Sequence, residues 1–108
     1  MMQVSEIRQR LGNVERNIQQ ASMACSSGAN IPSELKNCVQ QLDRQTSQAC
    51  HDIQSQTESM IVQRVDQLED LSDQAKREVE RSNNVDSQIR TTILQVHKEL
   101  SNLKHQLH

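Results

Sequence analysis

VSEIRQRLGNVERNIQQASMAC, residues 4–25, carries apolar side chains at alternating steps of three and four. This spacing places them on one face of an α-helix, and its repetition over three heptads is typical of a coiled coil. The apolar stripe consists of Val4, Ile7, Leu11, Val14, Ile18, Ala21 and Cys25. We therefore predict a helix that packs this face against other helices.

The composition is unusual because the 108 residues include no Phe, Tyr or Trp. Aromatic side chains supply large buried areas in compact cores and ligand pockets. With only 33% hydrophobic residues, the chain is expected to complete its apolar stripes on a partner, as an elongated homo-oligomer. The length predicts a single helical coiled-coil domain over residues 1–108.

Residues that interrupt helices define the predicted helix ends. Gly28 can adopt the left-handed conformation that ends a helix, and Pro32 suits the first turn of the next one. No Gly or Pro follows Pro32, and Ser and Asn residues at 82–84 form a weaker break. Whether the chain turns at this weaker break or continues straight is open. The predicted helices are 2–27, 33–81 and 85–107.

These lengths predict an all-α fold of elongated antiparallel helical hairpins, in which two short helices lie along one long central helix and assemble into a multi-helix bundle. At 1.5 Å per residue such a rod is roughly 75 Å long. The alternative is a four-helix bundle, which needs another turn near 55–58, where Ser55 and Glu58 match a capping box. The unbroken pattern from Ile53 to Met60 favours the long helix.

The residues predicted to pack or oligomerise are the apolar positions of the helices. Met60, Ile61 and Val62 are adjacent and cover about 200° of a helix, so we expect a self-association contact there. The predicted packing positions are Val4, Ile7, Leu11, Val14, Ile18, Leu42, Ile53, Met60, Ile61, Val65, Leu68, Ile89, Ile93, Val96, Leu100, Leu103 and Leu107.

An acidic run at helical spacing lies on the face away from Val65 and Leu68. It consists of Asp66, Glu69, Asp70 and Asp73. A charged run of this kind is usually a solvated helix face. Its functional interpretation is a strip that docks a basic partner, which includes Arg8, Arg10 and Arg16 of another copy of the chain.

Residues that carry chemistry are sparse in this sequence. His105 and His108 share a helix face, but a third ligand at helical spacing is missing, so we predict neither a metal nor another cofactor. Buried cysteines behave as small apolar residues, and a Cys25–Cys38 disulfide would stay open in a reducing compartment. We predict no enzymatic activity and no small-molecule substrate.

Charge and hydropathy limit the partners further. The net charge is −2, without the basic face that nucleic-acid binding requires or aromatic rings to stack on bases. No segment approaches the roughly 18 apolar residues of a membrane span, and the first residues do not resemble a signal peptide. Nucleic acid and membranes are therefore not expected partners, and the expected location is the reducing cytoplasm.

The sequence thus predicts a non-enzymatic structural or interaction protein. In the first hypothesis it is a self-associating helical rod that serves as an oligomerisation or scaffolding module. The alternative is a small four-helix-bundle adaptor or chaperone-like protein that binds another protein through an acidic or apolar groove. The candidate partners are a second copy of the chain and another helical protein.

Overall fold

The computed structural model describes residues 3–27, 31–82 and 85–108. These ranges contain four α-helices, one 3₁₀ turn and no strand, which confirms the predicted all-α class. The elements are α1 (Val4–Ser27), α2 (Ser33–Asp52), the 3₁₀ turn (Ile53–Ser55), α3 (Glu58–Arg81) and α4 (Ser87–Leu107).

The four helices form a closed antiparallel bundle. α1 packs on α2, α2 on α3, α3 on α4, and α4 back on α1. The Ser47 hydroxyl on α2 donates to Glu15 on α1 at 2.6 Å, and the Arg10 guanidinium donates to Gln106 on α4. The molecule measures 40 × 22 × 18 Å. The predicted rod of roughly 75 Å is therefore wrong.

The predicted long helix over residues 33–81 is two helices. α2 tightens into a 3₁₀ turn, where the Ser55 hydroxyl donates to the Asp52 carbonyl at 2.9 Å. Gln56 then adopts an extended backbone, with φ −99° and ψ 149°. Thr57 caps the next helix, because its hydroxyl accepts the Met60 N–H at 3.3 Å. The apolar pattern from Ile53 to Met60 therefore spans a change of chain direction.

Replacement of the cap at α3 tests this explanation of the break. Thr57→Ala leaves a helix N-terminal N–H without its side-chain acceptor, so we expect a loss of about 1 kcal/mol in the free energy of unfolding. Urea denaturation followed by circular dichroism measures it. Thr91→Ala, on the exposed surface of α4, is the matched control and is expected to change stability by less than about 0.5 kcal/mol. Equal losses in both variants would contradict the role of the cap.

The open question about the second break is answered by the packing of α3 and α4. α3 ends at Arg81, and α4 begins at Ser87 with Asp86 as its cap, whose carboxylate accepts the Gln88 N–H at 2.7 Å. The two helices run antiparallel, so the chain turns between them. The predicted helix end at Gly28 lies outside the described residues, as do Asn83 and Asn84 at the second break.

The core is formed by the apolar stripes of all four helices. Most buried side chains are Leu, Ile and Val, with smaller Ala and Cys residues between them. Two polar residues, Thr46 on α2 and Ser72 on α3, are also fully buried. The Ser72 hydroxyl donates to the Glu69 carbonyl at 2.7 Å, whereas the Thr46 hydroxyl has no hydrogen-bond partner among the described residues.

The buried hydroxyls of Thr46 and Ser72 can be compared in their effect on the free energy of unfolding, because only the Ser72 hydroxyl has a hydrogen-bond partner among the described residues. Thr46→Val keeps the side-chain shape and removes a buried unpaired hydroxyl, so we expect a gain of about 1 kcal/mol in unfolding free energy. Ser72→Ala removes a satisfied hydroxyl and is expected to give no such gain. Urea midpoints of the two variants measure the difference. A destabilised Thr46→Val variant would indicate that this hydroxyl has a partner in solution.

Candidate functional site

The largest group of ionisable side chains lies along the seam between α3 and α4. Asp66, Glu69 and Asp73 are spaced by three and four residues and therefore share one face of α3. The α4 residues opposite them repeat at the same spacing, because α4 runs antiparallel to α3. They are His97, Ser101, Lys104 and His108.

Glu69 is the centre of this seam. One carboxylate oxygen of Glu69 lies 3.7 Å from His97 Nε2 and 3.4 Å from the Ser101 hydroxyl. Its other carboxylate oxygen lies 3.5 Å from Lys104 Nζ. His97 Nε2 is also 3.6 Å from an Asp73 oxygen. The carboxylate of Glu69 is thus surrounded by donors from the neighbouring helix.

The two ends of the seam carry further contacts. His108 Nε2 lies 2.9 and 3.2 Å from the two Asp66 carboxylate oxygens. At the opposite end Asp73 binds Arg77, one turn along α3, at 2.5 Å. Each carboxylate at the two ends of the acidic face therefore has a nitrogen donor beside it.

The predicted docking strip is consequently divided into two parts. Asp66, Glu69 and Asp73 are half-buried and face donors of the same chain. Asp70 alone of the four is exposed. Docking of a basic partner on this strip stays a prediction, in which such a partner competes with the contacts from α4.

A groove of about 320 Å³ lies over the end of this seam that contains Asp66 and His108. It is lined by Asp66, Glu69, Ser101, Lys104, His105 and His108. The carboxylates of this groove contact side chains of α4: Glu69 contacts Ser101 and Lys104, and Asp66 contacts His108. In the described part of the chain, no three His, Cys, Asp or Glu side chains are grouped so that they could hold a metal ion.

The structure places most predicted packing residues in the core of the single chain. The buried ones are Ile7, Leu11, Val14, Ile18, Leu42, Ile53, Ile61, Val65, Leu68, Ile89, Ile93, Val96, Leu100 and Leu103. Leu107 is half-buried, while Val4 and Met60 are 39% and 48% exposed. Of the adjacent apolar residues at 60–62, only Ile61 is in the core. Their contribution to contacts between chains stays a prediction.

A second groove, on the outer face of α1, was not singled out in the sequence. Its volume is about 600 Å³, and it is lined by Val4, Ser5, Arg8, Gln9, Gly12, Asn13, Arg16 and Gln54. Gly12 lies midway between Arg8 and Arg16, and a Cβ at Gly12 would meet no atom within 4 Å. The signal in the sequence is the spacing Arg-x₃-Gly-x₃-Arg, which places three positions along one ridge of a helix.

The cysteines are free thiols that their surroundings keep protonated. Burial is the largest cause and raises the pKa of Cys25, Cys38 and Cys50. For Cys50, burial acts together with a hydrogen bond to the Glu15 carboxylate and the charge of that carboxylate, while the Arg8 guanidinium opposes them, and the pKa is raised to about 11. A thiolate is the nucleophilic form of cysteine, so this arrangement disfavours nucleophilic chemistry at Cys50.

We expect the native Cys50 thiol to react slowly with iodoacetamide at pH 8. A pKa of about 11 leaves roughly a hundredfold less thiolate than a cysteine with its ordinary pKa. The reaction rate is expected to rise about tenfold per pH unit until the pH approaches that pKa. Mass spectrometry of labelled peptides at several pH values measures it, with urea-unfolded protein as the control. Labelling as fast as in unfolded protein would contradict the pKa shift.

Two of the grooves on the described part of the molecule lie over the seam between α3 and α4 and around Gly12 on α1. No helix in the described ranges combines the length and the hydropathy that a membrane crossing needs. Comparison of the chain with protein-family models, with curated proteins and with solved structures finds no match.

Proposed function

We propose that this protein is a non-enzymatic interaction module, a small four-helix-bundle adaptor that binds another protein through its outer surface. The observation that carries the proposal is the closed ring of helices. The apolar stripes of α1 to α4 are buried against one another, so the core is complete without a second chain. Binding specificity then resides in the polar exterior.

The chemistry of the two grooves supports an interaction role over catalysis. General acid–base catalysis needs a side chain that is free to exchange a proton with a substrate. At the seam between α3 and α4, Glu69 and Asp66 instead contact Lys104 and His108 of the same chain. We infer that this seam orients α3 against α4 and that the three thiols belong to a reducing compartment.

The mass of the protein in solution tests whether the bundle is stable as a single chain. Light scattering coupled to small-angle scattering is expected to give the single-chain mass of 12.4 kDa at low and at high salt. The maximum dimension in solution is expected to match the 40 Å extent of the bundle, with some addition for hydration. An elongated oligomer that survives high salt would contradict the adaptor and favour the rod-like scaffold.

A complex with a partner tests the adaptor role itself. The tagged full-length chain is used to recover partners, and each candidate is purified and recombined with the chain at known concentrations. A stable complex of defined stoichiometry, formed without loss of helical content, supports the adaptor. Turnover of a substrate by the purified chain, abolished by a single seam substitution such as Glu69→Gln, would contradict it.

Self-association is the second candidate function, and we propose it for one end of the bundle. Val4 begins α1 and Met60 lies in the first turn of α3, so the antiparallel arrangement brings both exposed side chains to the same end. Half-buried Leu107 is at that end as well. Coiled-coil-like pairing of two bundles at this end would cover these apolar groups.

Substitution of the exposed methionine separates the two candidates. If this end forms a homo-oligomer, Met60→Gln is expected to shift the mass from oligomer to single chain, since the exposed methionine would lose its apolar contact. Met23→Gln, at an exposed position of α1 near the opposite end, is the control. Equal masses for both variants and the original chain would argue against oligomerisation through this end.

A further inference from the structure

The groove on the outer face of α1 combines a gap in the helix surface with two arginines. Arg8, Gly12 and Arg16 follow one another at intervals of four residues, so they form a ridge that is interrupted in the middle. The guanidiniums are attached about 12 Å apart along the helix axis, given a rise of 1.5 Å per residue. Exposed Val4 extends the groove at the start of the helix.

Gly12 has no role in the packing of the bundle itself. A Cβ at this position would meet nothing within 4 Å, so the fold accommodates larger residues there. Glycine inside a helix is less stable than alanine because it loses more backbone entropy on folding. What Gly12 does provide is close access to the helix backbone from outside, of the kind that a second helix uses when it crosses at a small residue.

The two arginines of this groove form no ion pair among the described residues. Within the described ranges neither Arg8 nor Arg16 lies within 4.0 Å of a carboxylate oxygen. Arg16 is held by a hydrogen bond to the Asn13 side chain on the same helix. A guanidinium matches a carboxylate through two parallel hydrogen bonds, which gives both affinity and orientation.

We propose that the groove around Gly12 is the docking site for an acidic α-helix of a partner protein. The partner helix crosses α1 at Gly12 with a small residue, and carboxylates on either side of the crossing meet Arg8 and Arg16. The inference rests on the proposed interaction function and names the surface and the partner chemistry.

Charge disfavours a second copy of the same groove as the occupant. A two-fold pairing of α1 with α1 of another copy about Gly12 would bring Arg8 next to Arg16 of that copy, so four like charges would meet. The acidic face of α3 is also partly occupied, because Asp66 and Glu69 contact donors of α4. Pairing with that face of another copy would require these contacts to break, so the occupant that we propose is a different chain.

A designed peptide tests the proposal on the full-length protein. The probe is a helix-forming peptide of alanine and glutamine with two glutamates eight residues apart and an alanine midway; the control peptide has lysines at the two glutamate positions. We expect saturable binding of the glutamate peptide, with amide chemical-shift changes in NMR spectra concentrated between Ser5 and Arg16 and at Gln54. The lysine peptide is not expected to bind.

Three variants of the protein assign the binding to the groove. Arg8→Gln and Arg16→Gln are each expected to weaken binding about two- to fivefold, as exposed charge pairs contribute modestly. Gly12→Gln fills the gap and is expected to abolish saturable binding while the Tm rises by a few degrees, since glutamine is the better helix former. Arg44→Gln, an exposed arginine on α2, changes the net charge equally and is expected to leave binding unchanged.

The outcomes separate this inference from the proposed function. Absence of binding, or equal weakening by Arg44→Gln and Arg8→Gln, overturns the docking site. Tighter binding of a DNA duplex than of the glutamate peptide at the same salt also overturns it, in favour of phosphate recognition. If a reconstituted complex with a protein partner then survives in the Gly12→Gln variant, the adaptor role stands and its binding surface lies elsewhere.

Discussion

Leu100→Asp is expected to leave the chain unfolded. Leu100 is fully buried on α4, so the substitution removes a large apolar side chain and places a carboxylate in the core without a partner. An unpaired buried charge costs several kcal/mol, and the lost leucine contacts add about 3 kcal/mol. Because a domain of this size is stable by only about 5–15 kcal/mol, the sum is comparable with the whole free energy of unfolding.

Far-UV circular dichroism and the width of the NMR amide spectrum measure this loss. Asn102→Asp introduces the same charge two residues away at an exposed position and is expected to keep the fold within about 0.5 kcal/mol. Leu100→Met keeps the apolar volume and is expected to cost less than about 1.5 kcal/mol. A folded Leu100→Asp protein with the spectrum of the original would contradict the position of Leu100 in the core.

Leu68→Ala is expected to destabilise the bundle by about 3–4 kcal/mol without unfolding it. The Leu68 side chain on α3 is fully buried, so its truncation removes apolar contacts and leaves a cavity that the surrounding helices fill only in part. The expected signature in urea denaturation is a lower midpoint with an unchanged slope, because the surface exposed on unfolding stays nearly the same.

Leu94→Ala is the matched control for Leu68→Ala. The chemical change is identical, but Leu94 on α4 is 37% exposed, so less area is lost and no closed cavity forms. We expect a cost below about 1 kcal/mol. Similar losses at the two positions would show that the burial pattern differs from the one described.

The apolar spacing predicted the helical segments but missed the break inside the predicted helix over residues 33–81. The strict alternation of three and four in residues 4–25 corresponds to α1, and Ile7, Leu11 and Ile18 are buried in it. The sequence favours a continuous helix over the break between α2 and α3, because the apolar pattern is unbroken from Ile53 to Met60. An apolar stripe that continues through a tight turn has the same sequence pattern as one on a continuous helix. In the structure the extended backbone of Gln56 and the Thr57 cap mark the break.

The predicted elongated shape failed for a different physical reason. The absence of aromatic residues and the low apolar content lead to the expectation of an elongated oligomer. Four helices of similar length enclose only a narrow space, however, and each apolar stripe meets the others there. Leu, Ile and Val side chains fill that space, as the fully buried Leu42, Leu68 and Leu100 illustrate. Aromatic rings are unnecessary because aliphatic side chains from all four helices fill the core.

The surroundings of the acidic run could not be inferred without the fold. Spacing along α3 shows that Asp66, Glu69 and Asp73 share a face and how that face is turned relative to Leu68. It does not show which helix lies beside them. Only the antiparallel packing of α4 brings Lys104 and His108 to these carboxylates. The Arg8–Gly12–Arg16 ridge, by contrast, lies within one helix and was readable from spacing alone.

The closed ring of helices has a consequence for how the molecule assembles and opens. Three of its four interfaces join consecutive helices, whose ends are brought together at a small loss of chain entropy. The fourth joins α1 to α4, where Arg10 and Gln106 are 96 residues apart. Contacts between distant segments form late in folding, whereas neighbouring helices pair quickly. We therefore expect the α1–α2 and α3–α4 hairpins to form first and the α1–α4 interface to close last, and we expect the native bundle to open first at that interface.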